Sequence, residues 1–144
     1  MEILGINHIG IASRDPLQTK NFFESMLGLK FLGSELVTTQ NTNTMMFQSG
    51  SAAQCSNSLL EILENQEGQA GPIKAFLEKK GPGIHHLALT VSNIKQAIEE
   101  LKAKGVELID STPKPGVLNT KVIFIHPRST GGILIELVEE PKAD

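Results

Sequence analysis

Short runs of alternating apolar and polar residues, broken by amphipathic stretches of helical period, occur twice along this chain in the same order. Residues 6–12 read INHIGIA and residues 84–90 read IHHLALT. Both alternate with a period of two and are rich in β-branched or long aliphatic residues, which predicts strands. Each carries a histidine at its third position. After the first strand come Ser13, Arg14 and Asp15, with Pro16 placed for the first turn of a helix, LQTKNFFESMLG, that stops at Gly28. Its pattern puts Phe22, Phe23 and Leu27 toward one side. After the second strand, Ser92 or Asn93 caps IKQAIEELKAKG, with Ile94, Ala97, Ile98 and Leu101 on one face and Gly105 as terminator.

Strand patterns follow each helix. LKFLGSELVTT, TMMFQ and SLLEILE complete the first half; VELID, TKVIFIH and GGILIELVEE complete the second. The closing strands correspond, LLEILE to LIELVE. The predicted fold is therefore α+β, two tandem βαβββ modules in one domain of residues 1–144. Module one spans about 3–65 and module two about 83–140. A Gly- and Pro-bounded linker of about 66–82 holds a short helix at Pro72–Lys80. A module of this length buries too little surface to be stable alone, so the two are expected to share a concavity where the repeated residues meet.

Composition narrows the function. The chain has 144 residues, 40% hydrophobic and 20% charged, which are globular values. No apolar run approaches ~18 residues, so no membrane span is expected. MEILGINHIG lacks a basic region and does not read as a signal peptide. Net charge is −3 with no basic cluster beyond Lys79 and Lys80, which argues against a nucleic-acid partner. The absence of Trp and Tyr weakens a base-stacking role further. One cysteine, Cys55, precludes an internal disulfide and fits a reducing cytoplasm; it reads as an ordinary loop thiol.

The repeat also duplicates candidate chemistry. The histidines His8 and His86 are 78 residues apart, and the glutamates Glu61 and Glu136 are 75 apart. Both glutamates sit in very apolar strands, where a carboxylate is costly to bury unless it is paired, hydrogen-bonded or metal-bound. A lone strand histidine is an ordinary core residue; four residues related by duplication, in the order His, Glu, His, Glu, read as ligands of one divalent ion. Matching the two halves selects His86, because His85 aligns with Asn7 and points outward or under a helix. Glu64 and Glu139 lie an odd number of residues beyond the chosen glutamates and read as solvated strand ends. His126, before Pro127, reads as structural or as part of a substrate loop. Two imidazoles and two carboxylates suit Co²⁺, Ni²⁺, Zn²⁺ or Mn²⁺, and six-coordination would leave two positions open for catalysis.

At these residues the chain resembles the vicinal-oxygen-chelate superfamily, and within it the methylmalonyl-CoA epimerases. INHIGIA at 6–12, GPIKAFLEKKGPGIHHLAL at 71–89 and KVIFIHPRSTGGILIELVE at 121–139 carry the resemblance. It implies a metal in a cleft of tandem βαβββ modules, often in a homodimer, with His8, His86 and Glu136 as ligands and Glu61 at the fourth position. The implied reaction is proton transfer at the carbon between a thioester and a carboxylate, with Glu136 as first choice of base. The epimerase pattern places a second catalytic glutamate near Thr44, and Glu35 is too far back to align without a gap. Glu61 as both ligand and base, or a metal-bound water, is left to fill that role. In the loop HPRSTGG, Arg128 is either part of a plain hairpin or, with Lys121 or Lys114, a receiver of substrate carboxylate or CoA phosphate.

Three rivals share the fold. Glyoxalase I, acting on the glutathione hemithioacetal of methylglyoxal, matches the His/Glu/His/Glu set and needs no second base. An extradiol-type dioxygenase would use two histidines and one carboxylate, and Glu61 would crowd it. A metal-free ligand-sequestering protein is disfavoured because all four ligand positions are retained.

Overall fold

The computed structural model of the chain describes residues 1–52 and 57–143. Cys55 lies outside the described residues. Contacts divide the chain into two compact units, one of His8–His85 and one of Met1–Asn7 with His86–Asp144. The strand β1 (Ile3–Ala12) contributes its first residues to the latter and His8 onward to the former.

In the unit His8–His85, α1 (Pro16–Asn21) follows β1, and then come β2 (Phe31–Val37), β3 (Thr42–Gln48), β4 (Leu59–Asn65) and α2 (Pro72–Lys80). The strand order is β2-β3-β4-β1, with β1 and β4 parallel and the other two pairings antiparallel. One sheet face buries Met45, Phe47 and Ile62 beneath Phe23, Leu29, Phe31 and Leu60. The rings of Phe23 and Phe31 both lie 5.3 Å from that of Phe47. On the opposite face Ala12 and Leu63 pack against Ile73, Phe76 and Leu77 of α2. That helix covers the range expected for it.

The first helix departs from its pattern. Asp15 caps α1 by accepting a hydrogen bond from the Gln18 amide, and Pro16 opens it. From Phe22 to Met26 the chain widens into a π turn, in which the Leu27 amide bonds the Phe22 carbonyl five residues back. The extra residue per turn shifts the phase of the helix. Phe23 alone reaches the core, while Phe22 and Leu27 are exposed.

The other unit pairs the start of β1 with β5 (Gly83–Val91), followed by α3 (Ile94–Ala103), β6 (Lys114–Pro115), β7 (Lys121–Ile125) and β8 (Ile135–Glu139). The order is β1-β5-β8-β7-β6, with β5 and β8 parallel. Asn93, rather than Ser92, caps α3 through the Gln96 amide, and the expected Ile94, Ala97, Ile98 and Leu101 are all buried. They cover Val91, Ile123, Ile125 and Leu137. Gly105 ends the helix with φ +79°, and the Val106 amide caps the Leu101 carbonyl.

The segment VELID is not a strand. It makes one bridge, Leu108 to Ile125, and its amide bonds with β7 extend no further than Glu107 and Ile109. Packing of Val106 and Leu108 against the α3 core fixes this stretch, so its alternation reports burial without a full ladder. The short edge strand forms later, at Lys114–Pro115. Each unit thus realises a βαβββ succession, and the chain is α+β. Among the described residues no helix is long and apolar enough to cross a membrane.

Candidate functional site

Strand alternation in β1 turns His8, Gly10 and Ala12 to one buried face. In the parallel pairing with β4, Gly10 stands opposite Glu61. Directly opposed residues share a sheet face, so Glu61 emerges on the His8 side, beside a residue that has no side chain to obstruct it. The result is close: His8 Nδ1 lies 3.3 Å from Glu61 Oε2.

The other unit repeats this register. In the parallel pairing of β5 and β8, Ala88 stands opposite Glu136. His86 is two residues before Ala88, as His8 is two residues before Gly10, so His86 and Glu136 also share a face. Phe124 is the antiparallel partner of Glu136, and its ring meets the His86 ring edge-on at 5.7 Å. That contact restricts how the imidazole can turn. Each unit thus offers one histidine and one glutamate in the same register, and all four are 3–6% exposed.

Burial sets their protonation. Loss of solvent pushes the His8 imidazole down to about 4, so it is neutral at pH 7 with a lone pair available to a metal. Burial, and then the negative charge of Glu35, push the Glu61 carboxyl up to about 8. At neutral pH the pair is a neutral imidazole beside a protonated carboxyl, not an ion pair. Glu61 Oε2 has no hydrogen-bond partner among the described residues. A buried, unsatisfied carboxyl oxygen beside a neutral imidazole costs free energy that a bound cation would recover. In each unit the imidazole nitrogen and the carboxylate oxygen are donors that suit a borderline divalent ion.

The remaining sequence candidates fall elsewhere. His85 packs edge-on against Phe76 of α2 at 5.0 Å, under a helix as its alignment with Asn7 implied. Burial, and then Lys80, hold it down to about 4. His126 accepts from the Arg128 amide at 3.1 Å and shapes the turn after β7. Arg128 itself is exposed, and its guanidinium bonds Glu107 at 3.0 Å. Lys114 and Lys121 line a surface cavity of about 750 Å³ together with Lys95, Lys142, Glu139 and Glu140. Glu64 is exposed and Glu139 half-buried.

Of two neighbours of the candidate ligands, Phe124 has no mark in the sequence, and Glu35 lies too far back to align with the expected second glutamate without a gap. Phe124 braces His86, and a strand aromatic alone gives no sign of that. Glu35 charges the surroundings of Glu61, and its place depends on strand pairing.

A sequence model of the glyoxalase/bleomycin resistance protein/dioxygenase superfamily matches residues 7–124. An uncharacterized protein of Bacillus subtilis, YqjC, is 40% identical over 96% of this chain and 94% of its own. The mitochondrial methylmalonyl-CoA epimerase of Dictyostelium discoideum is 33% identical over 94% of this chain and 78% of its own. Among solved structures, a variant of Streptomyces coelicolor methylmalonyl-CoA epimerase in complex with 2-nitronate-propionyl-CoA superposes with a TM-score of 0.89. It is 26% identical, and the match covers 98% of this chain and all of the other. Methylmalonyl-CoA epimerases are thus among its relatives, and the chain belongs to the glyoxalase/bleomycin resistance protein/dioxygenase superfamily.

Proposed function

We propose that this protein is a metal-dependent epimerase acting at the α-carbon of methylmalonyl-CoA, with His8, Glu61, His86 and Glu136 holding one divalent ion. The observation that carries the metal site is the repeated register: in each unit a buried glutamate stands across a parallel pair from the residue two beyond a buried histidine. Tertiary packing alone gives no reason to bury the same two polar types twice in one geometry. The epimerase relatives support the substrate class. Co²⁺, Ni²⁺, Zn²⁺ and Mn²⁺ all suit the donors.

A bound dication supplies positive charge that stabilises negative charge developing on substrate oxygens. The chain does the rest. The neutral His8 and His86 donate ring nitrogens, and Phe124 holds the His86 ring in its plane. Glu136 takes the α-proton as general base. Arg128 receives the substrate carboxylate or a CoA phosphate, and in doing so must exchange its bond to Glu107 for the ligand. Lys114 and Lys121, in their shared cavity, are the alternative phosphate receivers. A second copy of the chain covers Ile3 and Leu4, which are exposed in the single chain. The same donor set would serve glyoxalase I, but the relatives that support a reaction are epimerases, and they favour an acyl-CoA substrate.

The test is solvent deuterium exchange at the α-carbon, followed by NMR on metal-loaded protein. Exchange into methylmalonyl-CoA that a chelator abolishes is the expected result. Turnover of the methylglyoxal–glutathione hemithioacetal with no exchange into methylmalonyl-CoA would overturn the proposal.

A further inference from the structure

Inverting a carbon centre by proton transfer needs two groups, one to take a proton from one face and one to deliver a proton to the other. The four candidate ligands provide Glu136 for one face. In the unit His8–His85 the sheet face that carries His8 and Glu61 can be read rung by rung. One rung is Gly33, Met46, Glu61 and Gly10; the next is Glu35, Thr44, Leu63 and Ala12. Opposed residues share a face, so Glu35 emerges on the same side as Glu61 and one rung further along.

We propose that Glu35 is the second catalytic carboxylate, exchanging a proton with the substrate α-carbon on the face opposite Glu136. This rests on the epimerase reading. Across these four strands, the titratable side chains on that face are His8, Glu61 and Glu35 among the described residues. The first two belong to the proposed ligand set, and Glu35 is the titratable group on this face outside it. Its Cα is roughly 12 Å from that of Glu61, two strand spacings across and one two-residue step along. That separation lets a substrate carbon lie between the Glu35 carboxylate and the ion. Thr44 and Met46 stand between them on this face. Glu35 is half-buried, so it can trade protons with water between turnovers. Thr44 is the direct cross-strand partner of Glu35.

The proton balance is simple. One carboxylate breaks the α C–H bond and becomes a carboxylic acid; the opposite carboxylic acid gives its proton to the same carbon and becomes a carboxylate. The reverse direction exchanges the roles.

The experiment uses Glu35→Gln, metal-loaded, with each single epimer of methylmalonyl-CoA in D₂O. Wild type should invert both epimers and place solvent deuterium in the inverted product. The variant should lose inversion at least 100-fold. It should still exchange the α-proton of the epimer that faces Glu136, with retention, and leave the other epimer unlabelled. Metal stoichiometry, the Co²⁺ visible absorption and the melting temperature should match wild type. Equal loss of exchange from both epimers, or inversion within threefold of wild type, overturns the assignment. If Glu35→Gln does not fold, Glu35→Asp carries the same test, because it keeps the charge and withdraws the carboxylate by one methylene. Absence of exchange by wild type itself would strike the epimerase reading and is thereby distinct from a failure at Glu35.

Discussion

Replacing Glu61 with glutamine removes a titrating group from the buried pair while leaving its shape almost unchanged. In the metal-free protein the Glu61 carboxyl is pushed from an ordinary 4.5 up to about 8. Between those values the folded state holds a proton that the unfolded chain releases. This stability is therefore fully present below pH 4.5 and is lost as pH rises through 8. His8 and His85 act in the other sense. Their pKa values fall from 6.5 to about 4, so their contribution is present above pH 6.5 and is lost as pH falls toward 4. Wild type and Glu61→Gln share both histidines, so the difference between their curves from pH 6.5 to 8 isolates Glu61. Integrating the Glu61 linkage across that window gives a loss of about 1.5–2 kcal/mol in wild type relative to the variant, or about 3–8 °C in melting temperature. Glu61→Gln itself should show only the rise of about 0.8 kcal/mol that the two histidines give there. The assay is urea or thermal denaturation followed by circular dichroism, in chelator, at half-unit pH steps. Parallel curves for wild type and variant would refute the argument, because they would show that Glu61 is ionised in the apo protein.

Metal binding at pH 7 should release close to one proton per ion from Glu61, read by calorimetry in buffers of different ionisation enthalpy; Glu61→Gln should remove that release. Phe47→Ala deletes a fully buried ring that meets two others and should cost about 3–5 kcal/mol in urea denaturation. Asn93→Ala removes the cap of α3 and should cost about 1 kcal/mol by the same measurement, whereas Asn93→Asp should be nearly neutral.

Much of this was legible because burial leaves a periodic trace. The duplication showed itself in INHIGIA and IHHLALT, and the apolar surroundings of Glu61 and Glu136 marked them as unusual before any pairing was known. Matching the halves chose His86 over His85, and the contact of His85 with Phe76 is what that choice implied. The first helix went differently, because a π turn shifts phase by one residue and pattern counting assumes a constant period. VELID alternates like a strand yet forms one bridge, since a core contact and a ladder partner produce the same alternation. Arg128 read as part of a plain hairpin or as a receiver of substrate carboxylate or CoA phosphate. Its partner Glu107 is 21 residues away, and nothing local announces such a pair.

The sequence by itself determined the α+β class, the repeat and the four buried polar residues. Each follows from local periodicity or from the cost of placing a charge among aliphatic side chains. Tertiary structure decided what these residues do to one another. Parallel pairing set Gly10 against Glu61 and Ala88 against Glu136, which brings each glutamate to the side of its histidine. Antiparallel pairing set Glu35 against Thr44, and so brought a second carboxyl to the face that already held Glu61. Strand register is a long-range property, fixed by turns, bulges and packing over the whole sheet. A shift of one residue would have turned Glu35 to the opposite face without altering a letter of the sequence.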